Sequence, residues 1–279
     1  MTHIRWPGGA RSAAVVAFDL DGPTGAALID RSIWDRPRKF VEGGYDIERA
    51  LGRTLDVLGR HGVLGTYFVP AWVAERWPRA VRRITDEGHE VAHHGYEHER
   101  FADLDLDEQR AVIRRSQAVF RDVFGVSAVG YRTPTGDWSR ETPALLEDEG
   151  FLYSSSLRDD HEPYRHVIEG RVTDLVEIPA RVDLDDYAYF AYSRDPDFPS
   201  GGDRIAPYRH VLGNLLREAE GHHRIGGCLI STFHPKVSAT PGRARVIDEF
   251  VAGLVAREDR WVATAEQVAR HVQAEGIDA

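Results

Sequence analysis

The sequence predicts an α/β barrel, and three observations lead there. At 279 residues the chain has the length that one such barrel routinely occupies, so a single domain over 1–279 is expected. Short apolar runs alternate with amphipathic stretches at the spacing of βα units through the first half, which implies a parallel sheet or barrel. Polar residues cluster just past the carboxyl ends of those runs, the face on which barrels build active sites.

In chain order, Ala13–Phe18 reads as a short buried strand ending in Asp-Leu-Asp-Gly. Ile47–His61 carries apolar residues at helical spacing and stops at Gly62. Gly65–Val69 reads as a second strand, Ala74–Glu87 as a helix ending at Gly88, and Glu90–Ala92 as a third strand. Leu106–Phe124 is the longest amphipathic helix and ends at Gly125. Strand-like runs follow at Ala128–Tyr131, Leu152–Ser155, Leu175–Ile178, Gly227–Phe233 and Trp261–Ala263. Between them Tyr187–Tyr208 is aromatic, rich in Pro and Gly and without period, the composition of a long substrate-contacting loop.

Hydrophobic residues at 42% and charged residues at 29% suit a soluble protein with a sizeable core. A net charge of −10 argues against a nucleic-acid or anionic-membrane surface, which needs a basic face. Cys228 is the only cysteine, so a metal would have to be held by His and carboxylate. No apolar run approaches the ~20 residues of a membrane span. Arg5 and Arg11 before Ala13–Phe18 resemble the start of a signal peptide, but Pro7, Gly8 and Gly9 interrupt it, and Asp19 and Asp21 stand where small residues belong. A cytoplasmic protein is expected, with self-association left open.

The chemistry begins at Asp19 and Asp21. Residues two apart on a strand face one side, so both carboxylates would enter one pocket, where like charges require a metal or an arginine. His94 and His98, four apart on one face of a helical turn, can share a metal. With Asp21 they form a two-histidine, one-carboxylate set that suits zinc or another late divalent ion. His89 and His93, flanking a strand, would lie some ~13 Å apart at ~3.3 Å per residue and cannot share an ion. Arg132 follows a strand and can hold Asp19 ionised, while His234 ends the last strong strand and fits a general acid. Asp-x-Asp-Gly also occurs in the haloacid dehalogenase-type phosphatases. Those enzymes need a later lysine followed by an acidic pair, and here the pair Asp185-Asp186 precedes Lys236 and lies far beyond Lys39.

Taken in order, these segments resemble the polysaccharide deacetylases, whose fold is called the NodB homology domain. The Asp-x-Asp motif matches Asp19 and Asp21, and His-Ser/Thr-x-x-His matches His94 to His98 with Gly95 in place of the hydroxyl residue. Arg-x-Pro matches Arg132 and Pro134, and the apolar strand leading to His matches His234. His-Gly-Tyr-x-His-Glu, Tyr-Arg-x-Pro and Leu-Asp-Asp-Tyr resemble a subgroup holding cytoplasmic peptidoglycan-deacetylase-like proteins, cyclic imide hydrolases and an allantoinase branch. The fourth motif, usually Asp-Ser-Ser, is here Ser154-Ser155-Ser156, and Asp159 or Asp160 would have to supply the missing acid.

The resemblance implies a distorted (β/α)7-type barrel and a hydrolase of C–N amide bonds. It implies a metal, most simply Zn2+, held by Asp21, His94 and His98. Asp19 would take the proton of the attacking water, steadied by Arg132, and His234 would protonate the leaving nitrogen. A backbone N–H near Tyr131 would bind the oxyanion, and Tyr131, Pro134, Trp138, Asp185, Asp186 and Tyr187 would line the substrate. That substrate would be a sugar amide or a small cyclic imide or ureide, and a ligand-binding barrel without activity is the contrasting reading.

Overall fold

The computed structural model describes residues 4–191, 193–194, 197–198 and 205–276. Its strands are β1 (Ser12–Asp19), β2 (Thr66–Val69), β3 (Glu90–His93), β4 (Gly130–Tyr131), β5 (Tyr153–Ser154), β6 (Tyr164–Ile168) and β7 (Arg171–Glu177). The short pair β8 (Ser193–Arg194) and β9 (Asp197–Phe198) comes next, then β10 (Cys228–Phe233) and β11 (Arg260–Val262). A nine-stranded sheet runs β10-β1-β2-β3-β4-β5-β7-β6, with β11 added on β1. Neighbours pair in parallel except β6 with β7. The helices cover the sheet, and the whole is a distorted α/β barrel.

Strand β1 organises the core. It is buried throughout, as expected of a parallel strand covered on both faces. Alternation divides its side chains: Ala14, Val16 and Phe18 pack with the surrounding helices. Ala13, Val15 and Ala17 instead meet Phe68, Ala92, Tyr153, Val176 and Ile230 from the other strands. Asp19 continues the second row and so points inward, at the strand's carboxyl end.

Among the described residues the sheet is not closed by strand pairing. One isolated bridge, Asp185 with Thr232, spans the gap between the segment after β7 and strand β10, where Asp186 N donates to Thr232 O at 3.0 Å. Ile4 and Trp6 are buried, and Trp6 Nε1 donates to Gly226 O at 2.8 Å. No helix among the described residues is long and apolar enough to cross a membrane.

Several expected elements differ in detail. The helix expected over Ala74–Glu87 is two, Ala71–Arg76 and Pro78–Asp86. Pro78 lacks an N–H and pushes Trp77 out of the helical region, to φ −128° and ψ 53°. Ile47–His61 enters through a wider turn, Asp46–Ala50, before the helix Leu51–His61. Part of the expected Tyr187–Tyr208 loop is a helical turn, Tyr187–Phe190, followed by β8 and β9; Tyr192 lies outside the described residues.

The amino end of the barrel carries a buried polar knot. Glu90 accepts from Thr66 Oγ1 and Tyr153 OH, each at 2.7 Å, and from Glu266 N at 3.0 Å. Burial pushes its carboxyl up to about 7. A carboxyl raised on folding stabilises most below its unfolded value and loses that contribution as pH rises through the folded one. Between pH 5 and 8 the wild type should therefore lose on the order of 3 kcal/mol relative to Glu90→Gln, since one pKa step is worth about 1.4 kcal/mol. Urea denaturation of both proteins at the two pH values measures this; parallel pH profiles would show that the carboxyl is not raised.

Candidate active site

Six strand ends deliver the site. Asp19 closes β1, and Asp21 follows two residues on, both nearly inaccessible. Arg132 follows β4 and is fixed at every nitrogen. Its Nη1 donates to Asp19 Oδ1 at 2.7 Å and to Thr232 Oγ1 at 3.2 Å. Its Nε donates to Ser155 O at 3.0 Å and Nη2 to Ser155 Oγ at 2.9 Å, while the guanidinium lies 4.0 Å over the ring of Phe68. Ser156 Oγ accepts from Thr133 N at 3.0 Å. The serine run at 154–156 thus holds the arginine loop.

His94 and His98 do not share a helical turn; that expectation is overturned. They sit on an irregular loop after β3 with Gly95 at φ 74° and His98 at φ 64°. Glu99 shapes it by accepting from Tyr96 N at 2.8 Å and Glu97 N at 2.9 Å. The positive φ favours glycine at 95, where the family carries Ser or Thr, and a Cβ there would displace the Glu99 carboxylate, 2.7 Å away. The loop still brings the two imidazoles to a centroid distance of 4.9 Å.

Three atoms converge there. His94 Nε2 and His98 Nε2 each lie 3.6 Å from Asp21 Oδ1. Asp21 Oδ1 is buried without a hydrogen-bond partner, as is His98 Nδ1. His94 Nδ1 donates to Arg132 O at 2.9 Å, because a carbonyl can only accept, and this leaves Nε2 with its lone pair facing Asp21. Burial pushes His98 down to about 4, keeping it neutral as a ligand must be. An orphaned carboxylate oxygen faced by two imidazole nitrogens fits a divalent cation of the late transition series.

His234, after β10, stands opposite. Its Nε2 lies 3.9 Å from both Asp19 Oδ2 and Asp21 Oδ2. Asp186 is behind it, taking Nδ1 on Oδ1 at 2.7 Å and the His234 backbone N–H on Oδ2 at 2.8 Å. Burial opposes the charged imidazole, yet the carboxylates of Asp186, Asp21 and Asp185 together outweigh it and the histidine is raised well above its ordinary value. Asp185, Asp186 and His234 also approach closely enough to hold an ion. Both Asp186 oxygens are spent on His234, which makes the group an acid with its carboxylate.

The cleft, of about 320 Å³, is lined by Asp19, Asp21, His94, His98, Arg132 and His234, and by Asp185 and Tyr187 as expected. Other expected substrate contacts lie elsewhere. Tyr131 is fully buried, packed between His93 and Trp138, and Trp138 stacks behind it. Pro134 is buried in the turn below, and Asp186 faces His234 instead of the cleft. Arg132 N and Thr133 N, the amides after Tyr131, are bonded to His93 O and Ser156 Oγ. Asp159 and Asp160 are exposed and bind Tyr164 OH and local amides, so neither replaces the fourth-motif acid; Asp186 does. Asp46 and Lys236 were not anticipated in the site. Nothing in their spacing marks them, since one sits on a helical turn and the other after a proline.

Residues 41–154 match the family model described as polysaccharide deacetylase. A peptidoglycan deacetylase of Helicobacter pylori is 27% identical over 254 residues, covering 82% of this chain and 85% of that one. A chitooligosaccharide deacetylase of Sinorhizobium fredii is 35% identical over 183 residues, 61% of this chain and 83% of the relative. The chain belongs to the polysaccharide deacetylase family. A solved Mycobacterium smegmatis structure assigned to the polysaccharide deacetylases superposes with a TM-score of 0.93 at 36% identity, over 99% of this chain and 95% of that one. As a polysaccharide deacetylase-type protein it is a hydrolase of carbon–nitrogen bonds other than peptide bonds, and the phosphatase and inactive-barrel alternatives are not favoured.

Proposed function

We propose that the protein, as one domain over 1–279, is a metal-dependent amide hydrolase acting on an N-acyl sugar or a small cyclic imide or ureide. The observation that carries this is Asp21 Oδ1, buried, unpartnered and faced by two imidazoles, within reach of a paired Asp19 and His234. Zn2+ held by Asp21, His94 and His98 would supply Lewis acidity and lower the pKa of water in the site. Arg132 holds Oδ1 of Asp19 and aims the carboxylate, so that Oδ2 can accept the proton of the attacking water. His234, charged through Asp186, donates from Nε2 to the departing nitrogen across the cleft. A cleft of about 320 Å³ lies at the small end of ligand sites and suits one sugar unit or one small ring. The relatives named for peptidoglycan and chitooligosaccharide support the sugar amide, and the cytoplasm is the proposed site of action, which cell fractionation tests.

A panel of N-acetylglucosamine oligomers, peptidoglycan fragments, cyclic imides and ureides, run beside p-nitrophenyl phosphate with magnesium, tests the reading. Turnover is expected on amides alone and should vanish on chelation. Phosphate release dependent on Asp19 and magnesium would overturn it.

A further inference from the structure

Lys236 has no part in the chemistry above, yet its ammonium lies inside the site. Its backbone is locked first. Lys236 N donates to Asp46 Oδ1 at 2.7 Å, and the other oxygen of this fully buried carboxylate accepts from Gly22 N at 2.9 Å. Asp46 thereby clamps the segment after β10 to the segment after β1. The lysine side chain, only 16% exposed, returns to Asp21, with Nζ 3.1 Å from Oδ2 and 3.5 Å from Gly22 O.

The two oxygens of Asp21 are thus divided. Oδ1 faces His94 and His98, and Oδ2 belongs to Lys236. Three of the carboxylates around the cleft floor have a cation: Arg132 for Asp19, Lys236 for Asp21 and His234 for Asp186. A divalent ion on Oδ1 adds charge beside an ammonium already on the same carboxylate. Lys236 Nζ, at 3.1 Å from Asp21, stands nearer that carboxylate than either ligand histidine, at 3.6 Å.

We propose that Lys236 is a resident counter-cation: it occupies Oδ2 of Asp21 and competes with the divalent ion for that carboxylate, setting the metal affinity of the site. The inference rests on the metal site formed by Asp21, His94 and His98. Lys236 acts through Asp21 and is a positioning residue.

Zinc binding to wild type, Lys236→Met and Lys236→Arg, read by competition with a chromophoric chelator, tests it. Removing the ammonium should tighten zinc by on the order of 10–100-fold, the range through which outer partners tune metal sites. Arginine keeps the charge and should stay within a few fold of wild type. Equal or weaker binding by Lys236→Met overturns the role of the lysine while leaving the metal site standing. Zinc binding by neither protein overturns the metal site itself, and the counter-cation role with it. Thermal denaturation in chelator gives a second measure that needs no metal: Lys236→Met should lower Tm in the wild type and hardly at all in Asp21→Asn. An equal loss in both backgrounds shows that the two are not coupled and also overturns the proposal.

Discussion

Asp19→Asn is expected to slow turnover of the best amide substrate by ~10²–10⁴-fold, the contribution of a positioned general base, while zinc affinity stays near that of the wild type. The two carboxylates, two residues apart, are placed differently. Asp19 gives Oδ1 to Arg132 and turns Oδ2 towards His94 and His234, each 3.9 Å away. Asp21 presents Oδ1 to both ligand histidines. Asparagine at 19 keeps size and a hydrogen bond to Arg132 but cannot take a proton from water. Asparagine at 21 should do the reverse, losing zinc and recovering part of its activity at high metal concentration. Metal content by elemental analysis beside initial rates decides between them. If Asp19→Asn strips the metal and Asp21→Asn retains it, the assignment is reversed.

Asp186→Asn should cost ~10²-fold or more in kcat, since it removes the charge that keeps the general acid protonated. The sign of the pH effect follows from the same contact. Burial would lower His234, and Asp186 is the foremost of the carboxylates, with Asp21 and Asp185, that raise it instead. Without that charge the imidazole gives up its proton at lower pH, and the alkaline limb of the kcat profile moves down. The folded protein also gains stability from the raised histidine below its unfolded pKa and loses it as pH rises through the folded value, so the variant's deficit is largest near and below neutrality. A pH–rate profile with an unmoved alkaline limb would remove His234 from the role of acid, or Asp186 from control of it.

Much of this site was legible because strand ends broadcast themselves. Asp19, Asp21, Arg132 and His234 each follow an apolar run, and alternation along β1 fixes which way Asp19 points. The pairing of Arg132 with Asp19 follows from charge alone. What stayed hidden depends on long-range contacts. The loop of His94 and His98 takes its shape from Glu99 and two residues of positive φ, so a spacing of four suggested a helical turn that is not there. The acid's carboxylate moved from the expected serine run to Asp186, more than thirty residues later, because β7 and the segment after it lead back to β10. The edge strand Tyr164–Ile168 is half exposed and charged, and it carried no apolar alternation to find. Asp46 lies on a helical turn where nothing local distinguishes it from a surface acid, although it is fully buried.

The bridge between Asp185 and Thr232 has a mechanical meaning. From β10 through β1 to β4 the strands pair without interruption, so Asp19, Asp21, His94, His98, Arg132 and His234 ride on one continuous arc. Asp186 arrives from the far rim, and that bridge is the backbone latch nearest the site, with Cys228 N to His161 O at 3.0 Å a second one across the seam. The latch and the carboxylate that arms His234 are neighbouring residues. A molecule sprung at this seam would keep its ligand set and its base intact and be disarmed solely at the acid. Such a molecule would still take up zinc and would fail at the departure of the nitrogen, so metal content alone would report a healthy protein.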